Sequence, residues 1–217
     1  PGYGLDWFKV YFSSDVWLGA TVRSFGVAFA TAILATLVAG LAALALARST
    51  SRWRGAIFAF FLAPMIVPRI VIAVGLFYLF AQIGLVATDL GLIIGHTVLA
   101  LPFAFVAISA VVKGHDWRLD QAAATLGANR FQTLMLVTVP LIKGGLVAAF
   151  LFAFITSFDE LTVAIFVSGG VKTTLPKQMW DDMILQLNPT LAAVSVVVFL
   201  IVMALLLVAE RLRRPAR

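Results

Sequence analysis

Residues 115–144 read HDWRLDQAAATLGANRFQTLMLVTVPLIKG, a segment of mixed polarity set between long apolar runs. Leu119, Ala122, Ala123 and Leu126 recur at i, i+3, i+4 and i+7, which predicts a short helix with one narrow apolar face. Gly127 stands where a glycine commonly ends a helix. Asn129 and Gln132 have the spacing of a capping box, so a second short helix is predicted from there, presenting Phe131, Leu134 and Met135 and ending before Pro140. The product is helix, tight turn, helix. A small alanine-surfaced knob of this kind can seat in a cleft of another body or pack under its own bundle, and periodicity fits both.

Outward from this segment the chain is apolar. Of 217 residues, 62% are hydrophobic and 12% charged, and the mean hydropathy of +1.06 marks an all-α integral membrane protein. The absence of cysteine excludes disulfides and thiolate metal sites. The net charge of +6 is not a nucleic-acid signal, because the bases fall at the ends of apolar runs, where a bilayer sorts them. Spans are predicted at 24–47, 56–81, 90–112, 144–167 and 191–209, each long enough to cross about 30 Å of hydrocarbon. No barrel-like alternation occurs. Pro64, Pro68 and Arg69 lie inside the second span, in APMIVPRIV, and predict a kink or break covered by protein or water.

The loop charges orient these spans. Arg48, Arg52, Arg54, Lys113, Arg118, Arg130, Lys143, Arg211, Arg213, Arg214 and Arg217 lie on one side, against Lys9, Arg23, Lys172 and Lys177 on the other. The richer side is expected in the cytoplasm, so the visible N-terminus lies outside and the basic tail, 210–217, inside. Residues 1–23, with the aromatic and charged run DWFKVYF, form an expected outer interfacial segment. Residue 1 is a proline, and five spans with an outside start predict a sixth, earlier span in the full chain.

Gln121, Ala122, Ala123, three residues, Gly127, nine residues and Val137-Thr-Val-Pro140 resemble the EAA loop of permease subunits of binding-protein-dependent ABC importers. That pattern is Glu-Ala-Ala, three residues, Gly, nine residues, Ile-x-Leu-Pro. Gln121 replaces the glutamate, and Asp120 is the acid beside it. DWFKVYFSSDVW, APMIVPRIV, LPFAFVAISA and SFDELTVAIFVSG resemble the branch that imports spermidine, putrescine, opines and related solutes. The resemblance implies the type I ABC importer permease fold in a bacterial inner membrane, with 24–209 as one permease domain and 115–143 as a cytoplasmic coupling loop. It also implies a second permease, different in this branch, two ATPase subunits that bind ATP and Mg, and an external solute-binding protein. Asp120, Gln121, Ala122, Ala123, Leu126, Gly127, Arg130, Phe131 and Pro140 are the implied ATPase-coupling residues.

The span LFAFITSFDELTVAIFV, residues 151–167, contains two acids, Asp159 and Glu160. Ionisable groups at membrane depth are costly and mark pathways or relays. On one helix the two acids point about 100° apart, and Thr156 and Ser157 are spaced to share hydrogen bonds with them. Arg69 lies at a similar depth on its own span, about 20 Å from the helix end by rise. It either ties to Asp159 or Glu160 and braces the bundle, or faces the solute pathway. Free acids favour a polyamine, a free Arg69 a solute with a carboxylate. Phe158 and Glu160 resemble a pattern that many permeases share, so Glu160 alone does not select the solute.

Other features carry less. GGVKTT, residues 169–174, lacks the spacing of a P-loop, so the chain itself has no ATPase motif. His96 and His115 lack companion ligands, and His96 is expected to hydrogen-bond inside the bundle. Asp181 and Asp182 read as a solvated outer loop or as contacts for the binding protein. The alternative function is an autonomous secondary transporter or channel whose intramembrane carboxylates bind coupling protons. An intramembrane enzyme finds no nucleophile and base in the spans.

Overall fold

A computed structural model describes residues 5–170, 173–185 and 189–213, and the regular structure of these residues is helical throughout. The order is α1 (Asp6–Ser13), α2 (Asp15–Arg48), α3 (Arg54–Ile66), α4 (Arg69–Ile83), α5 (Asp89–Lys113), α6 (Trp117–Thr125), α7 (Arg130–Thr133), a π turn (Leu134–Thr138), α8 (Val139–Phe158), α9 (Thr162–Val167), α10 (Leu175–Leu185) and α11 (Thr190–Arg213). The expectations for Lys172, Arg214 and Arg217 fall outside the described residues.

The centre of the bundle is a seam of small side chains. Ala28, Ala32, Ala35 and Ala39, three and four residues apart and so on one face of α2, have no exposed surface. They share a core with Ala100 and Ala104 of α5 and with Ala149 and Ala153 of α8. Lipid is as apolar as leucine, so helices in a membrane associate through close packing rather than expulsion from water. Gly145 of α8 shows how close: a Cβ there would come within 2.7 Å of a Val111 methyl on α5. Thr31 adds a polar tie across the seam, its hydroxyl donating to the Ile93 carbonyl at 3.4 Å.

Among the described residues three helices, α2, α5 and the continuous stretch Arg130–Phe158, are long and apolar enough to cross a membrane, and α3 with α4 makes a fourth as a pair bent by 101°. The expected second span is therefore broken, with Pro64 inside α3 and Pro68 capping α4. Arg69 opens α4 beyond this bend, so a depth measured along a straight helix does not apply to it. The shorter apolar helix Thr190–Leu205 lies at the expected fifth span.

The predicted span 144–167 needs correction at both ends. Pro140 does not end the second helix of the knob, and one helical path runs from Arg130 to Phe158. The π turn accommodates the proline: the Val139 N–H reaches back to the Leu134 carbonyl, and Pro140 enters as the second residue of α8. At its other end the helix stops at Phe158, before the two acids.

Outside the seam, α1 is a helix whose Tyr11 is buried and whose hydroxyl lies 2.8 Å from Thr21 of α2. The expected loop around Asp181 and Asp182 is instead α10, pinned where the Leu175 N–H donates to Ser24 of α2 at 2.7 Å. Asp181 pairs with Lys177 at 2.6 Å, and Asp182 accepts from Gln178 at 2.8 Å.

An Ala35→Leu substitution in the seam is expected to destabilise the purified permease by about 1–3 kcal/mol, the usual cost of overpacking. Leu41→Ala on the exposed face of α2 is expected to stay within about 0.5 kcal/mol in the same thermal unfolding measurement.

Candidate functional site

The break after α8 separates the two acids. The Asp159 N–H closes α8 by donating to the Ile155 and Ser157 carbonyls, and the chain turns at Glu160 and Leu161 before α9 begins. A new helix brings N–H groups without intrahelical partners, which are costly at membrane depth. Glu160 supplies the acceptors. Its Oε1 takes the Thr162 N–H at 3.0 Å, and its Oε2 takes those of Val163 at 2.7 Å and Ala164 at 3.4 Å. The carboxylate is 1% exposed and sits at the positive end of α9.

Around this cap, His96 of α5 is equally buried, with Nδ1 2.8 Å from the Ser157 hydroxyl and Nε2 3.8 Å from Glu160. Ser157 thus bonds the histidine rather than an acid. Thr156 makes no hydrogen bond to either acid among the described residues. The helical spacing that suggested such bonds does not exist beyond Phe158. α9 itself is held by an apolar cluster in which Val163, Ala164 and Val167 meet Ala73 and Phe80 of α4 and Leu92 and Leu99 of α5.

Asp159 points elsewhere. It is exposed and lines a cavity of about 650 Å³ between the end of α8, α10 and α11. The other lining residues include Phe158, Met179, Trp180, Ser195 and Phe199, and among the described residues Asp159 is the only charged side chain there. Sequence reasoning missed the α10 and α11 wall, because nothing local in KQMWDDM tells that Trp180 returns to the end of α8. Arg69 is exposed and makes no ion pair with Asp159 or Glu160 within 4 Å. The bracing pair is thus not a direct contact, although Arg69 is near enough to Glu160 to attract it through space. Arg69 lines a separate pocket of about 100 Å³ with Pro64, Met65, Val67, Leu99 and Phe103.

The knob is built from local capping. The Asp116 side chain accepts from the Arg118 N–H at 3.0 Å, and Gly127 turns at φ +88°, a conformation that favours glycine. Asn129 and Gln132 exchange side-chain to backbone bonds of 2.9 Å each, the full capping box. α6 buries none of its residues. Leu119, Ala122, Ala123 and Leu126 line an open groove of about 410 Å³ with Leu136 and Pro140. Phe131 is 67% and Leu126 88% exposed, large apolar surfaces that ask for a partner. Gln121 and Arg130 border a second groove beside Arg48 and Trp117, while Asp120, not Gln121, makes the ion pair with Arg48.

Comparisons with known proteins agree with this architecture. Residues 32–215 match the family described as binding-protein-dependent transport system inner membrane component. The spermidine/putrescine transport system permease protein PotC of Haemophilus influenzae is 30% identical, over 98% of this chain and 83% of the relative. The putrescine transport system permease protein PotI of Escherichia coli is 28% identical, over 91% and 73% of the two chains. Among solved structures, a bacterial alginate ABC transporter, in complex with an alginate pentasaccharide-bound periplasmic protein, aligns with a TM-score of 0.72. It covers 99% of this chain and 85% of that one at 14% identity, a likeness of fold.

The cap assigns opposite costs to the two acids. Glu160→Ala strands buried N–H groups and is expected to lower the stability of the detergent-purified permease by about 3 kcal/mol. Asp159→Ala is expected to change it by less than about 0.5 kcal/mol, both read from thermal unfolding.

Proposed function

This chain belongs to the binding-protein-dependent transport system inner membrane components, and from that premise we propose that it lines, with a second and different permease, the import pathway for a polyamine. The observation that carries the solute class is Asp159. Among the described residues it is the one charged group lining the cavity between α8, α10 and α11, and its neighbour Glu160 is fully engaged as a helix cap. A carboxylate in an aromatic, partly desolvated cavity suits an ammonium group, through a charge-assisted hydrogen bond and the face of Trp180. The names of the relatives, spermidine/putrescine and putrescine permeases, support the same class. A carboxylated solute at Arg69 is less well supported, because Arg69 borders only a small pocket of about 100 Å³ and neither relative's name points to such a solute.

The α6 knob docks one ATPase subunit in this reading, its groove and exposed Leu126 and Phe131 forming the contact. ATP and Mg are held by the ATPases, and an external binding protein delivers the solute. The knob side is cytoplasmic, as the excess of bases there supports. ATP-driven movement of the ATPases shifts the permeases between inward-open and outward-open states, which requires that each ligand favour one state over the other.

In cells carrying the assembled importer, Asp159→Asn is expected to raise the KM for putrescine uptake about tenfold or more while the ATPases still co-purify, since a lost charge-assisted bond is worth about 1.5–3 kcal/mol. Unchanged uptake kinetics would remove Asp159 from the pathway. Ala123→Asp is expected to abolish both ATPase co-purification and uptake. An autonomous transporter would retain its uptake.

A further inference from the structure

Asp120 stands where four parts of the chain meet, and we propose that it is the positioning residue that transmits movement of the α6 knob to α8. This inference rests on the docking role proposed for α6. No residue of α6 is fully buried, and its apolar hold on the bundle is Trp117, the first residue of the helix, half-buried against the core. One turn further on, its polar tie is the Asp120 carboxylate, whose side chain is only 10% exposed. Arg48, at the end of α2, pairs with one oxygen and lies over the Trp117 ring at 4.7 Å. His115, between α5 and α6, donates from Nε2 to the other oxygen at 2.9 Å. Thr138, fully buried in the π turn, has its hydroxyl 3.3 Å and 3.2 Å from the two oxygens.

The position of Thr138 makes this more than a brace. Its hydroxyl has one proton and two possible acceptors, the Asp120 carboxylate and the Thr133 carbonyl at 3.4 Å. The π turn that holds it is also the least regular point between Arg130 and Phe158, since five-residue bonding there is followed, one residue after its end, by Pro140, which lacks an N–H. A pull on Thr138 therefore acts where the helix path yields. From Val139 onward α8 is an unbroken helix of 20 residues, about 30 Å long, that delivers the displacement to Asp159. Arg48 gives the same carboxylate a hold on α2, the partner of α8 in the alanine seam. Gln121, at the position of the family glutamate, is exposed and makes no such connection.

The test uses the whole importer, permeases and ATPases together, reconstituted in vesicles with its binding protein. Radiolabelled putrescine imported and ATP hydrolysed are measured in parallel. Asp120→Asn and the near-isosteric Thr138→Val are expected to leave ATPase co-purification intact and to lower the putrescine imported per ATP about tenfold, a weakening of coupling by about 1.4 kcal/mol. A ratio equal to wild type in Thr138→Val overturns the proposal, whether both activities persist or both fall together. Loss of assembly in Asp120→Asn together with a wild-type ratio in Thr138→Val overturns it as well, leaving Asp120 a structural brace. Ala123→Asp in the same assay separates the two readings. If it still binds ATPases and imports solute, the docking role of α6 fails, and this inference with it. If it loses the ATPases while Thr138→Val keeps the wild-type ratio, only the role of Asp120 fails.

Discussion

A helix that stops and restarts inside apolar surroundings must satisfy the N–H groups it frees, and here one carboxylate does so. Glu160 spans the first turn of α9 with three acceptor contacts from two oxygens. The burial of this charge is offset chiefly by backbone donors and by the helix end it faces, with no ion pair in direct contact from Arg69. Much else follows from that cap. It lets α8 end at Phe158, turns Asp159 outward to the cavity, and leaves α9 free to pack on α4 and α5. Without it, the break would leave unpaired donors and the two acids would be equivalent intrusions in a span.

The cap can hold only because the bundle around it is tight. Alanines on α2, α5 and α8 bring three helices close enough that a Cβ on Gly145 would collide with Val111. Such a seam transmits displacement rather than absorbing it, since packed interiors are not continuously deformable. The proposed route of coupling uses this stiffness. The knob at one end and the cavity at the other are joined by α8, with the π turn as the place where the path can yield.

Features determined locally were readable in the residues. Asn129 with Gln132, and Gly127, act within a few residues of themselves, and the capping box and left-handed turn stand where spacing put them. The break near Pro68 was equally open to reading, because proline removes a donor wherever it stands. Pro140 was misread for a physical reason: a proline ends a helix only if the preceding turn cannot re-register, and the π turn does so. The acids were misread by treating residues 144–167 as one helix, which made Thr156 and Ser157 their partners and set Arg69 at their depth. An acid just before Thr162 and Val163 also fits a helix start, and that reading of Glu160 was available in the sequence. The convergence of Trp180 with Asp159, and of Arg48, His115 and Thr138 on Asp120, had no local signal, because each joins elements distant in the chain.

The division of labour between neighbouring acids is tested most directly by a cryo-EM structure of the assembled importer trapped with putrescine in its pathway. The account predicts an ammonium group within hydrogen-bonding distance of the Asp159 carboxylate and against Trp180, with Glu160 still accepting the N–H groups of α9. Putrescine bound to Glu160, with α9 uncapped and Asp159 turned to lipid or to another side chain, would contradict it.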